Sequence, residues 1–226
     1  MRLICLPHAG GAASFFSDWS AALPAEVEVQ AVQYPGRGDR IADPCIESMD
    51  ELAPALARAI RPLADRPIVL FGHSMGAAVA YEVTRLLQGW GIRPAHLFVS
   101  GRHSPGEVVP GEVHRRDDDG LVADLVRLGG TAPELLSSPE MRAFFLPAIR
   151  SDYRLAETYR WSPGAEPECP VTVLLGDADP EVTPAQAERW AEHAPGGIRI
   201  HQFRGDHFYL VPERAAVLDL VMSSSS

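Results

Sequence analysis

The chain contains no lysine and no asparagine, so all 20 of its strongly basic side chains are arginine. That bias follows most simply from a GC-rich coding sequence and carries no function of its own. Acidic residues outnumber basic ones, and the formal net charge of −10 argues against nucleic-acid binding by bulk electrostatics. Cysteine is scarce. Cys5, Cys45 and Cys169 are odd in number and irregular in spacing, which excludes a disulfide framework and points to reduced thiols in the cytoplasm. No apolar run approaches the roughly 20 residues of a membrane span, and the opening segment is too short an apolar run for a secretion signal. The eight histidines show no His-x-x-x-His spacing, so neither a metal nor a bound cofactor is expected.

What is present is the alternation of an α/β fold. At 226 residues with 46% apolar composition, the chain fits one large domain or a core with one sizeable insertion. Strands are expected over residues 2–7, 27–34, 67–71, 96–100, 171–175 and 198–203. Helices are expected over 49–63, 77–88, 184–194 and 212–222. Ser48-x-x-Glu51 reads as a capping box, Pro54 should bend the first of these helices or shift its start, and Thr183-Pro184 opens the third. The order predicts a mainly parallel sheet flanked by helices. Between residues 103 and 167 the alternation gives way to two or three helices rich in large apolar residues. They form either a local subdomain with its own small core or, the favoured reading, a lid lining a tunnel for an apolar substrate. Residues 1–102 and 168–222 would then form the core, and 223–226 a disordered tail.

The most informative stretch is Gly72-His73-Ser74-Met75-Gly76, placed between an apolar strand and a helix. In that setting Gly-x-Ser-x-Gly is a nucleophile elbow: the glycines let strand and helix pack closely while the serine projects its hydroxyl from a strained turn. A serine needs a base, best a histidine held in one tautomer by a carboxylate. On a parallel sheet these follow from later strand ends in the order Ser, Asp, His. Gly176-Asp177-Ala178-Asp179 leaves the fifth expected strand and Gly205-Asp206-His207 the sixth. His207 is the only histidine positioned as a base. Asp179 is preferred as its partner over Asp177, and Asp206 is assigned to its own loop's backbone. A tetrahedral oxyanion needs two N–H donors. The backbone of Met75 supplies one, and the Pro7-His8-Ala9-Gly10-Gly11 loop the other, from Ala9 first and Gly10 second. In the lid, Leu128, Met141, Phe144 and Phe145 are candidates for binding the apolar substrate.

Together these residues resemble the type II thioesterases that accompany polyketide synthases and nonribosomal peptide synthetases, α/β-hydrolases in fold. The resemblance rests on Leu6-Pro-His-Ala-Gly-Gly11, Tyr34-Pro-Gly-Arg-Gly-Asp-Arg40, Phe71-Gly-His-Ser-Met-Gly-Ala77, Leu128-Gly-Gly-Thr131, Leu146-Pro-Ala-Ile-Arg-Ser-Asp-Tyr153 and Gly205-Asp-His-Phe-Tyr209. It implies hydrolysis of acyl groups from the phosphopantetheine arm of an acyl or peptidyl carrier protein, with Ser74, Asp179 and His207 as the triad, in a monomer. The chain opens almost at its first expected strand, where family members often carry an extra segment. Carrier proteins are typically acidic, as this chain is, so docking calls for a local basic or apolar patch; Arg37, Arg40, Arg102, Arg115 and Arg116 are candidates. A general carboxylesterase, or a non-catalytic carrier-binding protein on the same fold, would share much of this pattern.

Overall fold

The computed structural model describes residues 1–109, 111–130 and 136–224. Thr131, quoted above for the resemblance, lies outside the described residues. Six parallel strands form one sheet: β1 (Arg2–Leu6), β2 (Glu28–Ala31), β3 (Ile68–His73), β4 (His96–Ser100), β5 (Val171–Gly176) and β6 (Ile198–Phe203). Their spatial order is β2-β1-β3-β4-β5-β6. From β1 the chain steps outward to β2 and then returns to the other side of β1 as β3. The strand order therefore reverses between β1 and β3, and their C-terminal ends form the crevice where open α/β sheets bind ligands.

The period-two alternation of strand side chains sorts the core onto two faces. Ile4, Leu6, Ile68 and Leu70 pack toward α2 (Met49–Ile60) and α3 (Met75–Gly89). Leu3, Cys5, Val69 and Phe71 pack on the opposite face with α7 (Arg214–Ser224) and with Trp19 of α1 (Ser17–Ala22). Burial on both faces explains why the central strands read as continuous apolar runs.

Several boundaries differ from the sequence expectation. β2 is an edge strand of four residues that ends at Ala31, before the Pro35-Gly36 turn. α2 ends at Ile60 and continues as a tight 3₁₀ turn through Leu63; Ser48 caps it by accepting from Glu51 N, and it runs through Pro54. The helix expected to 194 splits into α6 (Pro184–Glu188) and a 3₁₀ segment over Arg189–His193, with the Thr183–Gln186 capping box in place. α7 reaches Ser224, and Ser223 Oγ donates to Leu220 O at 3.0 Å, so the first two serines of the tail are helical. Residues 225 and 226 lie outside the described residues.

Residues 103–167 carry α4 (Asp118–Leu128) and α5 (Pro139–Thr158). Val113, Leu121, Leu125, Leu136, Leu146, Ile149 and Tyr153 form a third buried cluster there, while Leu155 at the far end of α5 joins the main core. Cys5 and Cys169 are buried free thiols and Cys45 is half-buried. Burial raises the Cys5 thiol and pushes that of Cys169 up to about 11, which keeps both unreactive. Among the described residues no helix is long and apolar enough to cross a membrane.

Close approach decides the turn between β3 and α3. A Cβ on Gly72 would lie 2.1 Å from Gly76 O, and one on Gly76 would lie 2.1 Å from Leu6 O. Both obstacles are backbone and cannot rotate away. Gly76→Ala should therefore cost about 3 kcal/mol or more, read as a lowered urea midpoint or lost soluble yield. A wild-type midpoint would mean that α3 sits farther from β1 than described.

Candidate active site

Ser74 is the only non-glycine among the described residues with positive φ, at φ 55° and ψ −118°. Such a conformation is strained for a residue with a Cβ and persists only where the surroundings enforce it. Here β3 enters from one side, α3 leaves from the other, and Ser74 N donates to Ser100 O at 2.7 Å. α3 starts at Met75, two residues earlier than the sequence suggested, because the strained serine itself occupies the N-cap position. As the first residue of α3, Met75 presents one of the N–H groups that lack an intrahelical acceptor.

The loops after β5 and β6 are knitted together. Asp177 N donates to Phe203 O at 2.8 Å, Ala178 N to Gly205 O at 2.9 Å, and Gly205 N to Asp177 Oδ1 at 2.8 Å. This separates the two acids. Asp177 serves the loop, whereas both carboxylate oxygens of Asp179 lie 3.0 Å from His207 Nδ1. Asp179 also accepts from Glu181 N at 2.8 Å. Both side chains are almost sealed from solvent, at 1% exposure for His207 and 0% for Asp179. Asp206 accepts from Phe208 N within its own turn. Nε2 of His207 is buried and has no hydrogen-bond partner among the described residues. It and Ser74 line the same cavity of about 620 Å³.

Ala9 and Gly10, from the loop after β1, also line that cavity. Gly10 N donates to Asp152 Oδ2 at 2.7 Å, which removes it as a donor and favours Ala9. Leu128 lines the cavity as expected, joined by Leu125, Val113 and Ile149. Met141, Phe144 and Phe145 do not. They sit in the first two turns of α5 and are 37%, 56% and 39% exposed, whereas the buried face of that helix is carried by Leu146, Ile149, Asp152 and Tyr153. The chamber is also less apolar than the expected tunnel. Tyr153 donates to Asp124 Oδ2 at 2.9 Å, and Arg127 bridges Asp124 and Glu181 at 3.0 and 2.6 Å.

Sequence reasoning passed over much that supports the site. Gly101 follows β4 at φ +60°, and a Cβ there would lie 2.9 Å from the His73 ring and 3.1 Å from that of His207. His73 Nδ1 meets Ser100 Oγ at 2.9 Å, and Ser100 Oγ meets Tyr209 OH at 2.6 Å. Only the Gly directly after an apolar strand could have hinted at the first, and nothing at the second. Three of the candidate docking arginines face elsewhere than an open patch: half-buried Arg102 and exposed Arg116 line the cavity, and Arg37 is buried against Asp152. Arg40 and Arg115 make exposed ion pairs with Asp43 and Glu112.

A strained serine at a β-to-α turn, a sealed Asp–His pair and a loop of backbone donors around one chamber make up an acyl-transfer site. A family model described as "Thioesterase domain" matches residues 1–224. The chain belongs to the thioesterase family. The chain is 45% identical over 217 residues to the "Probable cadicidin biosynthesis thioesterase" of Streptomyces griseus, covering 96% of this chain and 60% of that protein. It is 45% identical over 212 residues to Thioesterase PikA5 of Streptomyces venezuelae, covering 93% and 75%. Its fold matches that of the type II thioesterase BorB from the borrelidin biosynthetic cluster with a TM-score of 0.93, 46% identity, and coverage of 100% and 92%.

Burial holds several imidazoles of the chain neutral. Desolvation, with the charge of His207 adding to it, pushes His8 down to about 3 and holds His73 well below its ordinary value. His96 and His103, desolvated beside Arg199 and Arg102 respectively, are each pushed down to about 4. The unfolded chain binds protons on these groups near pH 6.5 while the folded one does not, so acid favours unfolding. Stability should be level between about pH 7 and 8 and fall as the pH drops from about 6.5 toward 4, by up to about 1.4 kcal/mol per pH unit for a fully buried imidazole such as His73. Urea midpoints at pH 7.5 and 5 test this; equal midpoints would contradict neutral burial.

Proposed function

We propose that this thioesterase hydrolyses acyl groups from the phosphopantetheine arm of acyl or peptidyl carrier proteins. In doing so it clears stalled or misprimed chains from polyketide or nonribosomal peptide assembly lines. The observation that carries the reading is Asp179 and His207, sealed together, opening with Ser74 onto a chamber of about 620 Å³. Ser74 Oγ attacks the thioester carbonyl carbon while His207 Nε2 accepts its proton, and Asp179 holds the Nδ1–H tautomer and offsets the charge of the imidazolium. The N–H groups of Met75 and Ala9 hold the oxyanion. Collapse of the tetrahedral intermediate breaks the C–S bond, and the pantetheine sulfur leaves with the proton returned by His207. Water then attacks the acyl-enzyme by the same proton path, releasing the acid and regenerating Ser74.

A thioester lacks the resonance stabilisation of an oxyester and presents a good leaving group, so this machinery needs no metal or cofactor of its own. The chamber's size suits a short to medium acyl group with the end of its arm. Apolar walls discriminate only by about 1–3 kcal/mol per methylene, so a broad chain-length preference is expected. A cytoplasmic monomer acting on a diffusing carrier domain fits the same reading.

The deciding experiment is mass spectrometry of an acyl-phosphopantetheinyl carrier protein incubated with wild type and with Ser74→Ala. The expected result is loss of the acyl mass with wild type alone, the variant being slower by about 10⁴-fold or more. Survival of the acyl group in both, with cleavage of a simple oxyester by wild type, would overturn the carrier assignment in favour of an esterase. Asp179→Asn should lower kcat on a free thioester by about 10³-fold or more, while Asp177→Asn, which keeps an oxygen for Gly205 N, should stay within about tenfold. Equal losses in the two variants would refute the assignment of the acid.

A further inference from the structure

Two of the segments that carry the family resemblance, around Arg37 and Asp152, have no part in the chemistry just described. In the fold they meet. Arg37, in the loop after β2, and Asp152, on α5, are 8% and 4% exposed. Arg37 Nη2 donates to Asp152 Oδ1 at 2.7 Å while Nη1 donates to Oδ2, a bidentate pair. Neither group is spent on the other alone. Arg37 Nη1 also donates to Gly11 O at 3.1 Å, and Asp152 Oδ2 accepts from Gly10 N at 2.7 Å. One residue before the arginine's turn, Tyr34 OH donates to Pro7 O at 3.2 Å. α5 also presses on the loop directly: a Cβ on Gly10 would lie 3.0 Å from Ile149 Cγ1.

These contacts bracket one peptide. The Pro7–His8 plane is held through Pro7 O, and the Ala9–Gly10 plane through Gly10 N. Between them lies the His8–Ala9 plane, whose N–H is that of Ala9. Peptide planes are rigid, and the middle plane is also held through its own carbonyl, since His8 O accepts from Gly11 N at 2.9 Å, so the direction of the donor is fixed by the loop that Arg37 and Asp152 grip. We infer that Asp152, oriented by Arg37, is a positioning residue that aims the Ala9 N–H at the oxyanion, so that a carboxylate on a lid helix completes the oxyanion hole. The inference rests on the assignment of Ala9 and Met75 as oxyanion donors. The two extra contacts satisfy a donor and a lone pair that the buried pair would otherwise leave unmet, and both of them fall on the donor loop.

The test compares wild type with Asp152→Asn, which keeps the shape and loses the charge, and with Arg37→Lys, which keeps the charge and loses the fork. Two readouts are taken for each on a free acyl thioester, with folding checked by thermal unfolding. The first is the split between kcat and KM. The second is binding of a trifluoromethyl ketone analogue, whose hemiketal oxygen with Ser74 occupies the oxyanion hole, against binding of the unreactive thioether of the same length. Loss of one oxyanion donor costs about 10²–10³-fold in kcat, so a misaimed one should cost about tenfold to a hundredfold. The expected result is that loss in kcat and in ketone affinity for both folded variants, with KM and thioether affinity within about threefold. Ketone and thioether affinity falling together would assign the pair to general structure and overturn the inference, as would wild-type kcat in both variants. A variant that fails to fold is set aside for the other; failure of both to fold would make the pair a structural requirement and equally overturn it. Because no carrier protein is used, failure here leaves the carrier assignment standing, whereas a wild type inert toward every thioester would remove both.

Discussion

The arrangement around Ser74 depends on backbone meeting backbone at the start of α3. Gly76 lies so close to the carbonyls of Leu6 and Pro7 that no side chain fits, and Gly72 is as close to Gly76. This contact has two consequences at once. It holds the β3–α3 turn tight enough to force Ser74 into its strained conformation, and it draws the N-terminus of α3 against the end of β1. Met75 and Ala9, on neighbouring strands' exits, thereby come to face one chamber. The strain costs of order 1–3 kcal/mol, which the dense packing of β1, β3 and α3 offsets.

Around this point the protein excludes water from polar groups rather than removing the groups. His73, Ser100 and Tyr209 form a hydrogen-bonded chain beneath His207, and the His8 ring packs edge-on to Phe15 and Phe208 at 4.7 Å. Imidazoles kept neutral in this way add no positive charge of their own beside His207, so in the proposed mechanism the imidazolium is stabilised chiefly by Asp179. The same arrangement makes the fold sensitive to acid, because unfolding releases those rings to bind protons.

Local chemistry was readable from the sequence, and long-range pairing was not. Gly72 and Gly76 flank a serine between an apolar strand and a helical pattern, so the elbow could be located from adjacent residues. Asp179 and His207 each follow a strand by a short turn, and chain order sufficed to pair them. Phe144 and Phe145 misled because large apolar residues on a helix announce burial without saying what buries them; position along α5, not residue type, put Leu146, Ile149 and Tyr153 inside. Arg37 misled in the opposite way. An arginine in a Pro-Gly-Arg-Gly loop reads as a solvated cation, and its partner lies 115 positions away in sequence, beyond the reach of any local pattern. Gly101, whose missing side chain makes room for two histidine rings, is legible only when those rings are in view.

α5 belongs to two parts of the molecule. Its first turns expose Met141, Phe144 and Phe145, its middle supplies Ile149, Asp152 and Tyr153 to the chamber and the donor loop, and Leu155 is fixed in the main core. Pro147, between the first and second of these regions, leaves the carbonyl four residues before it without its helical donor. The helix is therefore one strut running from the chamber wall to the main core, notched at a single carbonyl. A substitution in its middle is thereby felt in two places at once, at the chamber wall and in the packing of the core.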